Sequence, residues 1–175
     1  MQIKTLIMDE QAMNRAIARI TFEIIERNKG ITSLCLLGVH RKGVIIAQRV
    51  KEKILELEQK EIDVGIIDTA SFRDDLAGKE LPIRNFTAVN FDINDRKVIL
   101  VDDVISTGRT IRAAIDAIMS LGRPKNIQLA VLIDRGHREL PIRPDFVGKN
   151  VPTSNSETVK VLLNEYDNEN KVVIV

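Results

Sequence analysis

Three observations predict an α/β protein with a central, mostly parallel sheet flanked by helices. Apolar runs rich in branched side chains, at residues 34–39, 98–101 and 127–133, alternate with segments whose apolar residues recur every three to four positions. Strands separated by helices need crossover connections, which make the strands parallel and collect their carboxyl ends on one edge. Each run also ends in a chemically rich loop: His40-Arg41-Lys42-Gly43, the stretch Asp102 to Thr110, and Asp134-Arg135-Gly136-His137-Arg138. Ligands of open α/β sheets bind at that edge.

Taken in order, Asp9 is placed to cap a helix running to about Arg27, with Met13, Ala16, Ile17, Ile20 and Ile24 on one face. Asn28-Lys29-Gly30 ends it. The strand at 34–39 then feeds a helix striped by Ala47, Val50, Ile54 and Leu57. Ile62, Val64 and Ile66 alternate as in a strand, and the polar stretch from about Thr69 to Asn94 has no period of its own. A segment that long and irregular suggests a functional loop, with room for a hairpin. Residues 98–101 form a buried strand, and Ile111, Ala114, Ile115 and Ile118 carry a helix that Gly122 and Pro124 stop. After the strand at 127–133, Pro141 and Pro144 break regular structure, and residues 159–163 and 171–175 are closing strands. No repeat or low-complexity linker divides the sequence, so a single domain over residues 1–175 is expected.

Composition narrows the function classes. With 44% apolar and 29% charged residues the 175-residue chain suits a folded globule rather than a disordered one. Five Phe, one Tyr and no Trp leave little for a stacking surface that would hold single-stranded nucleic acid. A net charge of +1 gives no bulk attraction to polyanions, so RNA binding would need a local patch. The single Cys35 lies in an apolar run and cannot form an intrachain disulfide, which fits a reducing cytoplasm. No window approaches the apolar length of a membrane span.

Residues 98–114, VILVDDVISTGRTIRAA, carry the most chemistry. Asp102 and Asp103 are expected to emerge where the strand ends. Ser106, Thr107, Gly108, Arg109 and Thr110 then supply hydroxyls, a permissive glycine and free amides at a helix start, all suited to a phosphate. The plainer alternative is a turn before a helix with an acidic start and Thr110 as its cap. Neither GxxxxGK[ST] nor GxGxxG occurs.

This string resembles the phosphoribosyl pyrophosphate (PRPP) motif of type I phosphoribosyltransferases. The resemblance implies that family's fold, with a small hood and a flexible lid loop beside the sheet. It implies that Asp102 and Asp103 take the ribose hydroxyls, that Ser106, Thr107, Gly108, Arg109 and Thr110 wrap the 5′-phosphate, and that Val104 and Ile105 belong to the same PRPP-binding stretch. His40, Arg41, Lys42 and Gly43 would form the pyrophosphate loop. Arg73, within Ser71-Phe72-Arg73-Asp74-Asp75, is the candidate lid cation for the leaving pyrophosphate, and with Asp102 and Asp103 it makes up the candidate catalytic set. Magnesium would enter with PRPP, since no His or Cys cluster marks a dedicated metal cage.

The string Asp134 to Pro141, together with Asp9-Glu10-Gln11-Ala12, Glu26-Arg27-Asn28-Lys29-Gly30 and Phe72-Arg73-Asp74-Asp75, is similar to the PyrR family. Its members regulate pyrimidine operons and are also uracil phosphoribosyltransferases. That likeness implies conversion of uracil and PRPP to UMP and pyrophosphate, with Asp134, Arg135 and Gly136 forming a hood over the base and Val159 near the nucleotide. A purine phosphoribosyltransferase is the less favoured alternative. No general base is singled out: Asp134 and His137 are both candidates. The family also implies a homodimer or larger assembly and a messenger RNA leader bound when UMP is present, with Arg19, Arg27, Lys29, Arg138, Arg143 and Lys149 as candidate contacts. Here the chain departs from the family: Ala18 and Phe22 stand where the regulators usually carry Thr and His, which weakens the regulator reading. Phe22 is instead a candidate for a subunit contact.

Overall fold

A computed structural model of the chain describes residues 3–74 and 85–175. Five strands, β2 (Leu34–Val39), β3 (Asp63–Ile67), β4 (Lys97–Ile105), β5 (Asn126–Asp134) and β6 (Phe146–Asn150), form an all-parallel sheet in the order β3-β2-β4-β5-β6. A smaller antiparallel sheet takes β1 (Thr5–Met8), β7 (Val159–Leu162) and β8 (Lys171–Ile174), in the order β1-β8-β7. This small sheet is the hood of the fold and includes Val159, whereas Asp134, Arg135 and Gly136, which the resemblance places in the hood, lie at and just after the end of β5. The helices are α1 (Glu10–Asn28), α2 (Lys42–Glu58), α3 (Arg109–Leu121) and the single turn α4 (Asn164–Asp167).

Local signals account for most of these bounds. The Asp9 carboxylate accepts from the Ala12 amide at 2.7 Å and starts α1; Lys29, in the left-handed region, ends it. The central strands are dry on both faces, which is why they read as unbroken apolar runs rather than alternating ones. Leu34 and Leu36 of β2 join Met13, Ile20, Ile46 and Ile54 under α1 and α2, whereas Cys35, Leu37 and Val39 join Ile111, Ala114 and Ile118 under α3. One buried polar contact crosses the first cluster. Asn28 and Gln128 exchange amide hydrogen bonds at 2.9 Å in both directions, so the end of α1 is registered on β5 without an unpaired group.

Four expectations need correction. The strand of the PRPP string does not stop at Val101: β4 runs on through both acids to Ile105, paired to β5 as Asp102 with Val131 and Ile105 with Asp134. The acids therefore lie within the sheet's carboxyl end, held by its ladder. The hairpin allowed in the 69–94 stretch is reduced, among the described residues, to one antiparallel bridge between Ile66 and Ala88 and a 3-10 turn at Ala70–Phe72. The strands β1 and β6 were not foreseen, because β1 has four residues and Gly148 and Lys149 interrupt the apolar pattern of β6. Leu57 is only partly buried, at the outer margin of the α2 stripe. Asp75, part of the lid candidate, lies outside the described residues.

Candidate active site

Two helix starts face the same sheet edge, and at one of them the Thr107 hydroxyl accepts from the Arg109 amide at 3.3 Å. The N-cap of α2 is Arg41 and that of α3 is Gly108; neither contributes a side-chain cap, and neither first turn holds an acidic residue. Uncapped amides at positive helix ends are an anion site in waiting. Glycine makes each approach feasible. A Cβ on Gly43 would collide with the Val101 carbonyl oxygen and meet the Asp102 Cα at 3.1 Å, so only glycine lets the 40–43 loop lie against β4. Gly108 sits at φ 93°, the left-handed turn that swings the chain from β4 into α3. The amide of His40 donates to the Ile67 carbonyl at 2.9 Å, and the His40–Arg41 peptide bond is cis.

Between these helix starts stand the two acids. Asp102 is 6% exposed and Asp103 partly buried. Burial pushes the Asp102 carboxyl well above the usual carboxylate range, and the neighbouring Asp103 adds to it; the Asp103 amide and the Arg73 guanidinium act the other way. Burial also raises Asp103, opposed in part by the Val104 amide, by Asp102 and by Lys42. The structure thus brings Arg73, Lys42, Asp102 and Asp103 within electrostatic reach of one another at the carboxyl edge. A closely spaced pair of carboxyls that resists ionisation suits hydrogen bonding to a diol, or sharing a cation.

The 134–142 string braces the loop between β4 and α3. Arg138 donates to the Ser106 carbonyl at 2.9 Å, to the Ile142 carbonyl at 2.8 Å and to the Asp134 carboxylate at 2.6 Å. The amides of Glu139 and Leu140 both reach the Thr107 carbonyl, and the Arg135 amide reaches that of Ile105. Asp134 is fully engaged. Although burial alone would raise it, the Arg138 hydrogen bond and the Gly136 amide hold its carboxyl below the usual range. It is therefore a buttress and a poor proton acceptor. His137 places Nε2 2.7 Å from the Thr153 carbonyl, which can only accept, so that nitrogen carries the proton.

Several predicted site residues use their side chains elsewhere. Lys42 donates to the Val161 carbonyl and pairs with Asp167 at 2.9 Å, tying the 40–43 segment to the hood. Arg109 bridges Asp74, at 2.5 Å, and Glu139, at 2.6 Å. Both carboxylates hold its guanidinium in the charged form, raising its pKa further. The Arg135 side chain clasps Thr153 Oγ1 and the Glu157 carbonyl, steadying the segment that leads to β7. Val159 is buried in β7, and the Ile105 side chain lies in the core. Ser106, Thr110 and Val104 remain partly accessible at the loop, while Arg41 is exposed. Sequence reasoning missed Asp68, whose carboxylate accepts from Ala70 and Phe86 amides at 3.0 and 3.1 Å, and Asp167. Neither lies in a motif.

The cations named for RNA have partners in several places. Arg138 is spent on the brace just described. Arg19 donates to the Val147 and Gly148 carbonyls on β6, and Lys149 reaches the Ile7 carbonyl at 3.3 Å; together with Arg15 they border one cleft of about 260 Å³. Arg27 pairs with Asp145 at 3.0 Å and lies over Phe146. Lys29 caps α1, and Arg143 borders a different cleft beside Asp134. Phe22 is 53% exposed within the chain.

Comparison with known proteins follows the same lines. A family model described as phosphoribosyl transferase domain matches residues 5–175. A protein of Acetivibrio thermocellus named bifunctional protein PyrR is 59% identical over 172 residues, covering 98% of this chain and 94% of the relative. One of Caldicellulosiruptor bescii with the same name is 57% identical over 169 residues, covering 96% and 93%. Among solved structures, a hypoxanthine-guanine phosphoribosyltransferase of Bacillus anthracis matches with a TM-score of 0.76 at 18% identity, covering 99% of both chains. A hypoxanthine phosphoribosyltransferase of Trypanosoma cruzi also reaches 0.76, at 17% identity and 98% and 96% coverage. At those identities the structural likeness speaks for the fold alone.

Proposed function

The chain belongs to the phosphoribosyltransferase family and, within it, to the PyrR group, and from that premise we propose that it converts uracil and PRPP to UMP and pyrophosphate. The observation that carries this reading is the convergence of two helix starts with no acidic residue in their first turns on the acid pair of buried Asp102 and partly buried Asp103 at one sheet edge. In this reading Ser106, Thr107, Gly108, the Arg109 amide and Thr110 hold the 5′-phosphate. Asp102 and Asp103 hold the ribose hydroxyls, and the backbone of Arg41 to Gly43 takes the pyrophosphate. Gly136 and neighbouring backbone, with Val159, border the base.

Bond breaking at the anomeric carbon develops oxocarbenium character, so the protein's work is to position the base and to stabilise departing charge. Arg73 supplies a cation on the Asp102 side for the pyrophosphate. Among the described residues no three ligating side chains form a metal cluster, but the raised acid pair fits a divalent cation that the substrate helps to hold. Asp102 and Asp103 would hold magnesium, which when bound neutralises charge on the leaving group. Asp134, engaged by Arg138 and the Gly136 amide, is the weaker of the two candidate acceptors for the proton that leaves uracil's nucleophilic nitrogen, His137 being the other.

The test is a base panel. Pyrophosphate release from PRPP measured with uracil, guanine and hypoxanthine should favour uracil; turnover of a purine with none of uracil would refute the reading. A cytoplasmic homodimer is the expected working form. A second reading, UMP-dependent binding of a pyrimidine-operon leader RNA, is supported by the word bifunctional in the relatives' name and by the Arg15, Arg19 and Lys149 cleft. Retention of the leader with UMP but not without it, weakening as salt rises, would support this second activity.

A further inference from the structure

Phe86 is 44% exposed and belongs to neither apolar cluster, yet its placement is tightly determined. Its amide is held by Asp68 Oδ2, while the other oxygen of that carboxylate takes the Ala70 amide. The Asp68 amide donates to Thr87 Oγ1 at 3.0 Å, and Ala88 bridges Ile66 in both directions, at 2.9 and 3.0 Å. The backbone around Phe86 is thus rooted on the edge strand β3. From there its ring lies parallel to the His40 imidazole, centroids 4.4 Å apart and 9° from coplanar. His40 opens the 40–43 loop, whose other end is pressed onto β4 at Gly43.

We propose that Phe86 is a positioning residue for the pyrophosphate end of the substrate: its ring, anchored through Asp68, props His40 and so holds the 40–43 loop in its ligand-ready shape. The inference rests on the phosphoribosyltransferase reading and adds to it a residue outside every motif. A loop with a short backbone and a bulky ring at its start is steadied by a stacked partner, because offset aromatic pairs gain energy beyond the area they bury. Fixing the loop before substrate arrives removes an ordering cost from PRPP binding. Once PRPP is bound, its own contacts hold the loop, so the chemical step is expected to be little affected.

The experiment compares Phe86→Ala, Phe86→Leu and Phe86→Tyr with the unaltered protein, varying PRPP and uracil separately. Alanine and leucine should raise KM for PRPP roughly two- to twelve-fold while kcat and KM for uracil stay within about twofold, and tyrosine should restore the starting value. Leucine keeps apolar bulk without a ring, so it separates stacking from filling. The chain has two histidines, which makes the His40 ring protons assignable by substitution; their ring-current shift should vanish in Phe86→Leu and persist in Phe86→Tyr. An unchanged KM for PRPP in Phe86→Leu, or an equal rise in KM for both substrates, would overturn the proposal. Should the unaltered protein fail to use uracil, the functional reading falls instead. PRPP affinity by calorimetry, with the His40 spectrum, then decides the positioning role: unchanged affinity in Phe86→Leu overturns it.

Discussion

Replacing Arg138 with methionine removes one guanidinium that the phosphate loop, the hood string and Asp134 share. The side chains of Arg138 and Asp134 are 23% and 14% exposed, so the pair is mostly withdrawn from water. Breaking a buried pair from one side costs about 3–5 kcal/mol, because the remaining carboxylate stays buried and uncompensated; the residual solvent here reduces that to about 2–4 kcal/mol. Methionine keeps much of the apolar stem, so the loss is assigned to the head group and its bonds to Ser106, Ile142 and Asp134. For a chain of this size that corresponds to a fall in Tm of roughly 4–16 °C. Because Ser106 is the first loop residue after β4, KM for PRPP should rise as well. Thermal unfolding and steady-state kinetics check both, and adding Asp134→Asn should recover part of the stability by removing the stranded charge. A Tm within about 1 °C of the starting protein, with KM for PRPP unchanged, would refute the brace.

Three further substitutions probe the acids and the loop. Asp102 has a carboxyl pKa raised by burial, so folding favours its protonated form; the resulting penalty is absent at acid pH and grows as pH rises from the ordinary Asp value through the raised one. Asp102→Asn should therefore stabilise the protein near pH 8 by about 1 kcal/mol, an advantage that calorimetry should find fading toward pH 4, while activity drops about 100-fold or more. Asp134 behaves oppositely: its depressed pKa contributes stability that is present above the ordinary Asp value and lost as pH falls below it. The destabilisation by Asp134→Asn should accordingly be full at pH 7 and shrink below about pH 4 in denaturant titrations. Gly43→Ala forces a methyl into the Val101 carbonyl and should cost about 1–3 kcal/mol together with a large rise in KM for PRPP, read by urea unfolding and kinetics.

How much of this was legible in advance depends on the range of the forces involved. The Asp9 cap and the stop of α1 at Lys29 follow from bonds made within a few residues, and β2 from an unbroken apolar run, so the sequence states all three. The continuation of β4 through Asp102 and Asp103 did not, because a carboxylate inside a strand is tolerated only where cross-strand pairing and a ligand-facing edge compensate it. The loops that gather at the carboxyl edge were legible from topology, whereas the partner of each cation was not. Lys42, Arg109 and Arg138 stand where a phosphate binder would stand, yet Asp167, Asp74 with Glu139, and Asp134 claim their head groups. Three of those four acids are distant in sequence from the cation they meet. Asp68 and Phe86 belong to a stretch whose shape is set by the neighbouring strand edge and loop rather than by its own pattern.

The hood draws β1 from before α1 and β7 and β8 from after every strand of the main sheet. Its pair of Thr5 with Ile174 joins the two most widely separated strands of the chain, so loop-closure entropy delays it relative to the parallel sheet, whereas Val159 with Ile174 is a local pair. Lys42 finds both of its partners, the Val161 carbonyl and Asp167, only when the carboxyl-terminal segment that carries them has docked. A chain still emerging during synthesis therefore carries Asp102, Asp103 and the 106–110 loop before the 40–43 segment is clamped, and the sheet's carboxyl edge is completed as a last step of folding.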